Sequence, residues 1–211
     1  DTLRANDHLV EMGFKLQKNE SNKLFYKSAY RNKTLNISGW QHQAALHKSL
    51  KMVQTEIDWF QMNGIKQFEN AKWQRLSTKI YLKKYLSPGY QFQLDKNVIT
   101  ASQSPDSVLR TAMNFESHTF FLKNADTAKT NFHVNYTWRN DYLPVEGRMN
   151  TAFFTQTAQA TLKQNSEKAG TLQTNVTYRN LQNQLFSNAT TEETVMGRID
   201  WQIDAFRKII R

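Results

Sequence analysis

The chain has 211 residues, with 28 Lys and Arg against 18 Asp and Glu, a formal net charge of +10. Its 13 Phe, 8 Tyr and 5 Trp, set against only 7 Gly and 3 Pro, exclude a disordered linker and a collagen-like repeat. The absence of cysteine removes disulfide frameworks, thiolate zinc sites, iron–sulfur clusters and thiol nucleophiles, and no run approaches the roughly 18 apolar residues of a spanning helix.

Asn, Gln and Thr number 19, 17 and 20. Thr suits a pleated surface, and Asn and Gln keep a solvated sheet face wet without charging it. Helical bundles favour Glu, Lys, Ala and Leu at such positions. The composition therefore leans towards β-structure.

In chain order, Met12, Phe14 and Leu16 alternate with polar neighbours, residues 17–23 form a polar run, and Tyr26, Ser28 and Tyr30 resume the pattern. Leu35, Ile37 and Gly39 read as a short strand. Residues 41–62 and 70–85 fit either a strand or a helical stripe (Trp73, Leu76 and Ile80), and strands are favoured. Ser87-Pro88-Gly89 reads as a turn, Pro fixing φ and Gly accepting a positive φ, between Leu76, Thr78, Ile80, Leu82 and Tyr90, Phe92, Leu94.

The second half alternates more cleanly. Residues 115–123 and a strand carrying Phe132, Val134, Tyr136 and Trp138 on one face make a hairpin across the polar residues 124–129. Residues 151–163 and 171–181 make another across 164–170, and Val195, Gly197, Ile199, Trp201 and Ile203 mark a last strand after a loop over 182–193. Local turns between consecutive strands make an antiparallel meander of long hairpins the simplest topology, as an open sheet or as part of a β-barrel. The expectation is one mainly-β domain over 1–211, with a sub-boundary near 100–110.

Candidate chemistry is sparse. Lys72, Arg75, Lys79, Lys83 and Lys84 fall together with Trp73, Tyr81 and Tyr85 interleaved and no acid among them, an anion or partner surface for phosphate groups or else a solvated strand face. Sequence-specific nucleic-acid motifs are absent. His118 and His133 approach each other if they meet across their hairpin, but without a fixed acidic ligand no metal site is expected. Glu56 and Asp58 share a strand face that Glu69 could approach, the one pair suited to glycoside acid–base work. Glu192 and Glu193 fall in a loop. No nucleophile elbow, phosphate-cradling glycine loop, zinc-protease motif or dinucleotide fingerprint occurs, so no catalytic residue, cofactor or metal is assigned and the chain reads as non-enzymatic. Trp40, Trp59, Trp73, Trp138 and Trp201 are the candidate aromatic contacts, either as core partners or, near strand ends, as a membrane-interface girdle.

TNFHVNYTWR (residues 130–139), LPVEG (143–147), TLQTNVTYRNL (171–181) and VMGRIDW (195–201) together resemble the strand-repeat regions of large outer-membrane or cell-surface proteins of Bacteroidetes-type bacteria, over residues 115–211. The resemblance implies a setting and an architecture, an exported chain at the bacterial outer membrane or cell surface, and carries over no active-site residue. Asp1 opens the sequence without Met or a signal peptide, which reads as a processed protein or a piece of a longer one. The partner this implies is a larger polypeptide or envelope complex, with anionic lipid or lipopolysaccharide as a further contact. The chain then reads as a scaffold or binding surface in a larger assembly; a β-barrel binding a glycan or small ligand is the alternative, and a glycoside-processing enzyme is a third reading.

Overall fold

The structure, a computed structural model, describes residues 7–33, 38–66, 69–124, 129–145, 148–166, 170–185 and 190–202. They form eleven strands: β1 (Asp7–Asn19), β2 (Asn22–Lys33), β3 (Ser38–Ser49), β4 (Val53–Lys66), β5 (Glu69–Leu82), β6 (Leu86–Ala101), β7 (Ser104–Asn124), β8 (Thr130–Val145), β9 (Arg148–Ser166), β10 (Gly170–Asn183) and β11 (Thr190–Gln202). Every strand pairs antiparallel with its sequence neighbour, in the spatial order β1 to β11. Among the described residues the sheet is an open meander, not a closed barrel. No helix occurs among the described residues, so 41–62 and 70–85 are strands. The helical stripe fails because Trp73 pairs with Met62 on one face while Leu76 and Ile80 pair with Trp59 and Thr55 on the other.

The register sorts the side chains, because residues directly opposite in an antiparallel pair share a face. One face carries Val10, Met12, Phe14 and Leu16 opposite Tyr30, Ser28, Tyr26 and Leu24. It continues through Trp40, Ala44 and Leu46, Ile57 and Trp59, Leu76 and Ile80, and Tyr90, Phe92 and Leu94. Phe120 and Leu122, Val134, Tyr136 and Trp138, then Ala158, Ala160 and Leu162 extend it. Leu172, Val176 and Tyr178 opposite Trp201, Gly197 and Val195 complete it. The other face is lined mainly by Lys, Arg, Asp, Glu, Gln, Asn and Thr.

Among the described residues no second layer covers the apolar face. Among the described residues the buried hydrophobic side chains are only Ala29, Ala45, Ala71 and Ala152, and no large side chain is fully buried. Most of the exposed large apolar groups lie on the apolar face, with Val10 at 63%, Met12 at 66% and Ile199 at 73%. A sheet with one greasy face is stable only when that face is covered, and an exposed patch of this extent marks a surface meant for contact.

Several expected boundaries move. Ser87, Pro88 and Gly89 lie inside β6, and the turn is at residues 83–85. Gly89 is there for close approach: its φ is not positive, and a Cβ at that position would collide with the Phe121 ring. Pro88 sits just beyond Gly89, where pairing with β5 stops, so the ladder tolerates its missing N–H. The short strand expected at Leu35, Ile37 and Gly39 becomes the twelve-residue β3, which holds Gly39, while Leu35 and Ile37 lie outside the described residues, as does Ile203. The loop over 182–193 is shorter, since β10 reaches Asn183 and β11 starts at Thr190; Glu192 and Glu193 are strand residues. Gly170, at φ 80°, supplies the left-handed position that starts β10.

Candidate functional site

The apolar face has a definite geometry. Its band spans Val10–Leu16 on β1 and Val195–Trp201 on β11, each seven residues long. Following direct pairs from Gly13, mid-band on β1, through Lys27, Gln43, Phe60, Arg75, Asp95, Phe115, Asp141, Phe153 and Asn183 leads to Thr190 on β11. The middle of the band on β11 lies about eight residues further along. At about 3.3 Å per residue and about 4.8 Å per strand, that climb tilts the strands by about 30° relative to the band.

The two margins of the band differ. Tyr30 and Trp40 close it on β2 and β3, and Trp138 closes it on the same side on β8. Around them run two ring clusters. In the first, Trp40 lies 5.2 Å from Tyr30 and stacks 6.1 Å from His42, which lies 6.4 Å from Trp59. The Tyr26 hydroxyl and His42 Nδ1 are hydrogen-bonded at 3.1 Å. In the second, Trp138 stacks on His118 at 4.7 Å, beside Phe92 at 5.0 Å. The His118 ring is hydrogen-bonded at both nitrogens, Nε2 to the Glu116 carboxylate and Nδ1 to the Tyr90 hydroxyl, both at 2.8 Å. Beyond this margin β4 to β11 continue, β8 for seven residues from Arg139 to Val145, whereas β1 to β3 end within three residues of it. At the opposite margin they stop. Only Thr130 and Asn131 precede Phe132 in β8; the connections are short on both sides, two or three residues at 20–21, 50–52 and 83–85 here and two at 102–103 beyond the other margin. Trp201 closes the band on that side.

The polar face is knitted together. Asp95, 4% exposed, accepts from Trp73 Nε1 at 2.8 Å and from Arg75 Nε at 2.9 Å. Arg139 pairs with Asp141 and lies 3.9 Å over the Phe115 ring. Thr119 and Thr137 hydroxyls meet at 2.8 Å, and Asn175 Oδ1 accepts from Thr161 at 2.9 Å and Gln159 at 3.2 Å.

The structure divides the expected basic surface. Lys72 projects to the apolar face, opposite Asn63 and Val98. Arg75 and Lys79 project to the polar face, Arg75 on Asp95 and Lys79 5.5 Å over Tyr81. Lys83 and Lys84 occupy the turn at the far strand ends, Lys83 donating to Ser49 Oγ at 2.6 Å. Trp73 belongs to the polar face, where it lies 5.0 Å from Phe60 as an aromatic contact. Trp40, Trp59, Trp138 and Trp201 share the apolar face, although Trp59 and Trp138 lie inside their strands rather than at the ends.

The remaining chemistry stays apart. His118 and His133 face opposite sides, paired with Trp138 and Lys123. Glu56 and Asp58 do share the polar face, but Asp58 holds His47 at 3.0 Å and Glu56 accepts from Gln54 at 2.7 Å. Glu69 binds Arg110 at 2.7 Å, eight residues along β5 from Ser77, the partner of Asp58, or about 26 Å of extended chain. Among the described residues no three His, Asp or Glu side chains gather as metal ligands.

One residue the sequence did not single out joins Lys72. Lys96 lies opposite Gln74, and both line an open cleft of about 820 Å³ with Lys72, Asn63, Tyr30 and Trp40. Parity along β5 separates Lys72 from Arg75 and Lys79 in the sequence itself, but only the register brings Lys96 to it. Comparison with family models, with curated proteins and with solved structures finds no match to this chain.

Proposed function

We propose that this chain is a length of transmembrane β-barrel wall, a non-enzymatic module of a larger bacterial outer-membrane protein, with its apolar face in lipid and its polar face lining the interior. The observation that carries the reading is the apolar band that crosses all eleven strands at a slant of about 30°, close to the roughly 35–45° tilt of spanning barrel strands. A scaffold docked on a flat protein partner has no reason to shift its greasy patch steadily from strand to strand. A slab of hydrocarbon crossed by tilted strands requires it. Supporting features are the margin lined by Tyr30, Trp40 and Trp138, with Trp201 at the other, where amphipathic aromatics sit at the headgroup level, and the strands β4 to β11, which end promptly on one side and run on past the other. The polar network suits a wetted interior, where strand side chains satisfy one another.

The alternative, a barrel that binds a glycan or small ligand, draws support from the cleft beside Trp40 and Tyr30, although that cleft is open and lies on the apolar face.

Because the chain has no cysteine, single cysteines report position cleanly. In cells carrying the protein in its own envelope, Asn135→Cys and Thr137→Cys should react with a charged maleimide once the interior is reached. Val134→Cys and Tyr136→Cys should react only with a lipid-soluble reagent. Equal reaction of both parities with the charged reagent would overturn the reading.

A further inference from the structure

We infer that the cleft bounded by Lys72 and Lys96 is a binding site for the phosphate of an anionic lipid headgroup in the leaflet on the side where the strands run long. The inference rests on the membrane reading above and adds a ligand to it. Lys72 and Lys96 are exposed cations on the face that carries the apolar band. They lie on adjacent strands one diagonal step apart, as Lys72 faces Val98 and Lys96 faces Gln74. On β5 and β6 the band is carried by Leu76, Ile80, Tyr90 and Leu94, so the two lysines stand just past its margin, beyond the hydrocarbon.

A lysine here would be wasted on lipid tails and misplaced in the barrel interior. At headgroup depth it meets phosphate. Neither ammonium forms an ion pair among the described residues. The nearest carboxylate on this face by register, Glu116, is taken up by His118. Asn63 and Gln74 add amide donors to the cleft, and Tyr30 and Trp40 offer rings for the glycerol or sugar backbone next to a phosphate. The cleft thus combines two compact charges, neutral donors and apolar walls, the chemistry that matches a phosphorylated lipid and no uncharged one. The strands that carry both lysines, β5 and β6, run on past the band on this side, which in an outer membrane is the outer, glycolipid leaflet.

The test uses the protein extracted from its envelope and reconstituted in phosphatidylcholine vesicles, doped with a phosphorylated glycolipid or with its dephosphorylated counterpart. Native mass spectrometry then reads retained lipid. The parent should retain the phosphorylated lipid selectively. Lys72→Gln/Lys96→Gln should lower that retention about thirtyfold, the product of two lysine–phosphate contacts. The charge-matched control Lys83→Gln/Lys84→Gln, at the opposite margin, should retain it as the parent does. Equal retention by parent and Lys72→Gln/Lys96→Gln, with the cysteine alternation intact, would remove this site alone. Loss of the alternation in the parent would remove the membrane reading beneath it. Saturation by inorganic phosphate in lipid-free detergent at equal or tighter affinity would overturn the assignment to lipid.

Discussion

Asp95 lies beneath two donors whose worth differs. Trp73 Nε1–H donates to one carboxylate oxygen and Arg75 Nε–H to the other, but the Arg75 side chain is 53% exposed while that of Asp95 is 5% exposed. Water screens the guanidinium and pulls most of the value out of the ion pair. Asp95→Ala leaves the indole N–H without its acceptor among packed side chains and should cost about 2 kcal/mol in urea unfolding followed by tryptophan fluorescence. Arg75→Ala should cost less than about 1 kcal/mol. A reversed order would mean that charge, not the indole hydrogen bond, holds this junction of β5 and β6. The same residues show what sequence proximity hides. Lys72, Arg75, Lys79, Lys83 and Lys84 look like one patch along the chain, yet a strand sends odd and even positions to opposite faces and a turn removes the last two. Parity was readable in advance. Asp95 and Lys96 were not, because their places opposite Arg75 and Gln74 depend on pairing across twenty residues of intervening chain.

β8 gives the sharpest contrast between faces within one element. Val134, 46% exposed, is on the apolar face near the middle of the band, and Asn135 is its neighbour on the polar face, 3.4 Å from Gln159. A cation at mid-band in lipid costs about 2–4 kcal/mol, whereas the wetted side accepts it at little cost. Val134→Lys should therefore lose that much unfolding free energy in vesicles, and Asn135→Lys should stay within about 0.5 kcal/mol of the parent. Equal losses would mean that β8 has no lipid-facing side. This strand and its neighbours were legible because their alternation runs uninterrupted through the band. β3, β4 and β5 were not. In β3, His42 interrupts the apolar face between Trp40 and Ala44, and β4 and β5 continue past the margin, where Gln61 and Gln74 occupy the same face as Trp59 and Leu76. With both faces polar there, period two vanishes and a helical period fits as well. The ambiguity of 41–62 and 70–85 is the slant of the band seen in one dimension.

Taken together, the described residues form an open sheet with β1 and β11 unpaired to each other and no second layer, which offers water a wide greasy surface. The slant of that surface fixes a number that no single strand contains. If the band lies parallel to a bilayer, the strands cross the membrane normal at about 30°. Polarised infrared spectroscopy of the protein in oriented bilayers measures this directly, since the amide I transitions of a sheet report the strand axis. The expected result is an average strand tilt between about 25° and 45°, the lower bound from the register and the upper from spanning barrels generally. A sheet lying on the membrane would give strands near the bilayer plane, and a sheet docked on another protein would give no fixed angle to the lipid. Either result would separate the slanted band from the hydrocarbon slab, and with it the reason that apolar residues shift by about eight positions from β1 to β11 while the backbone pairing does not.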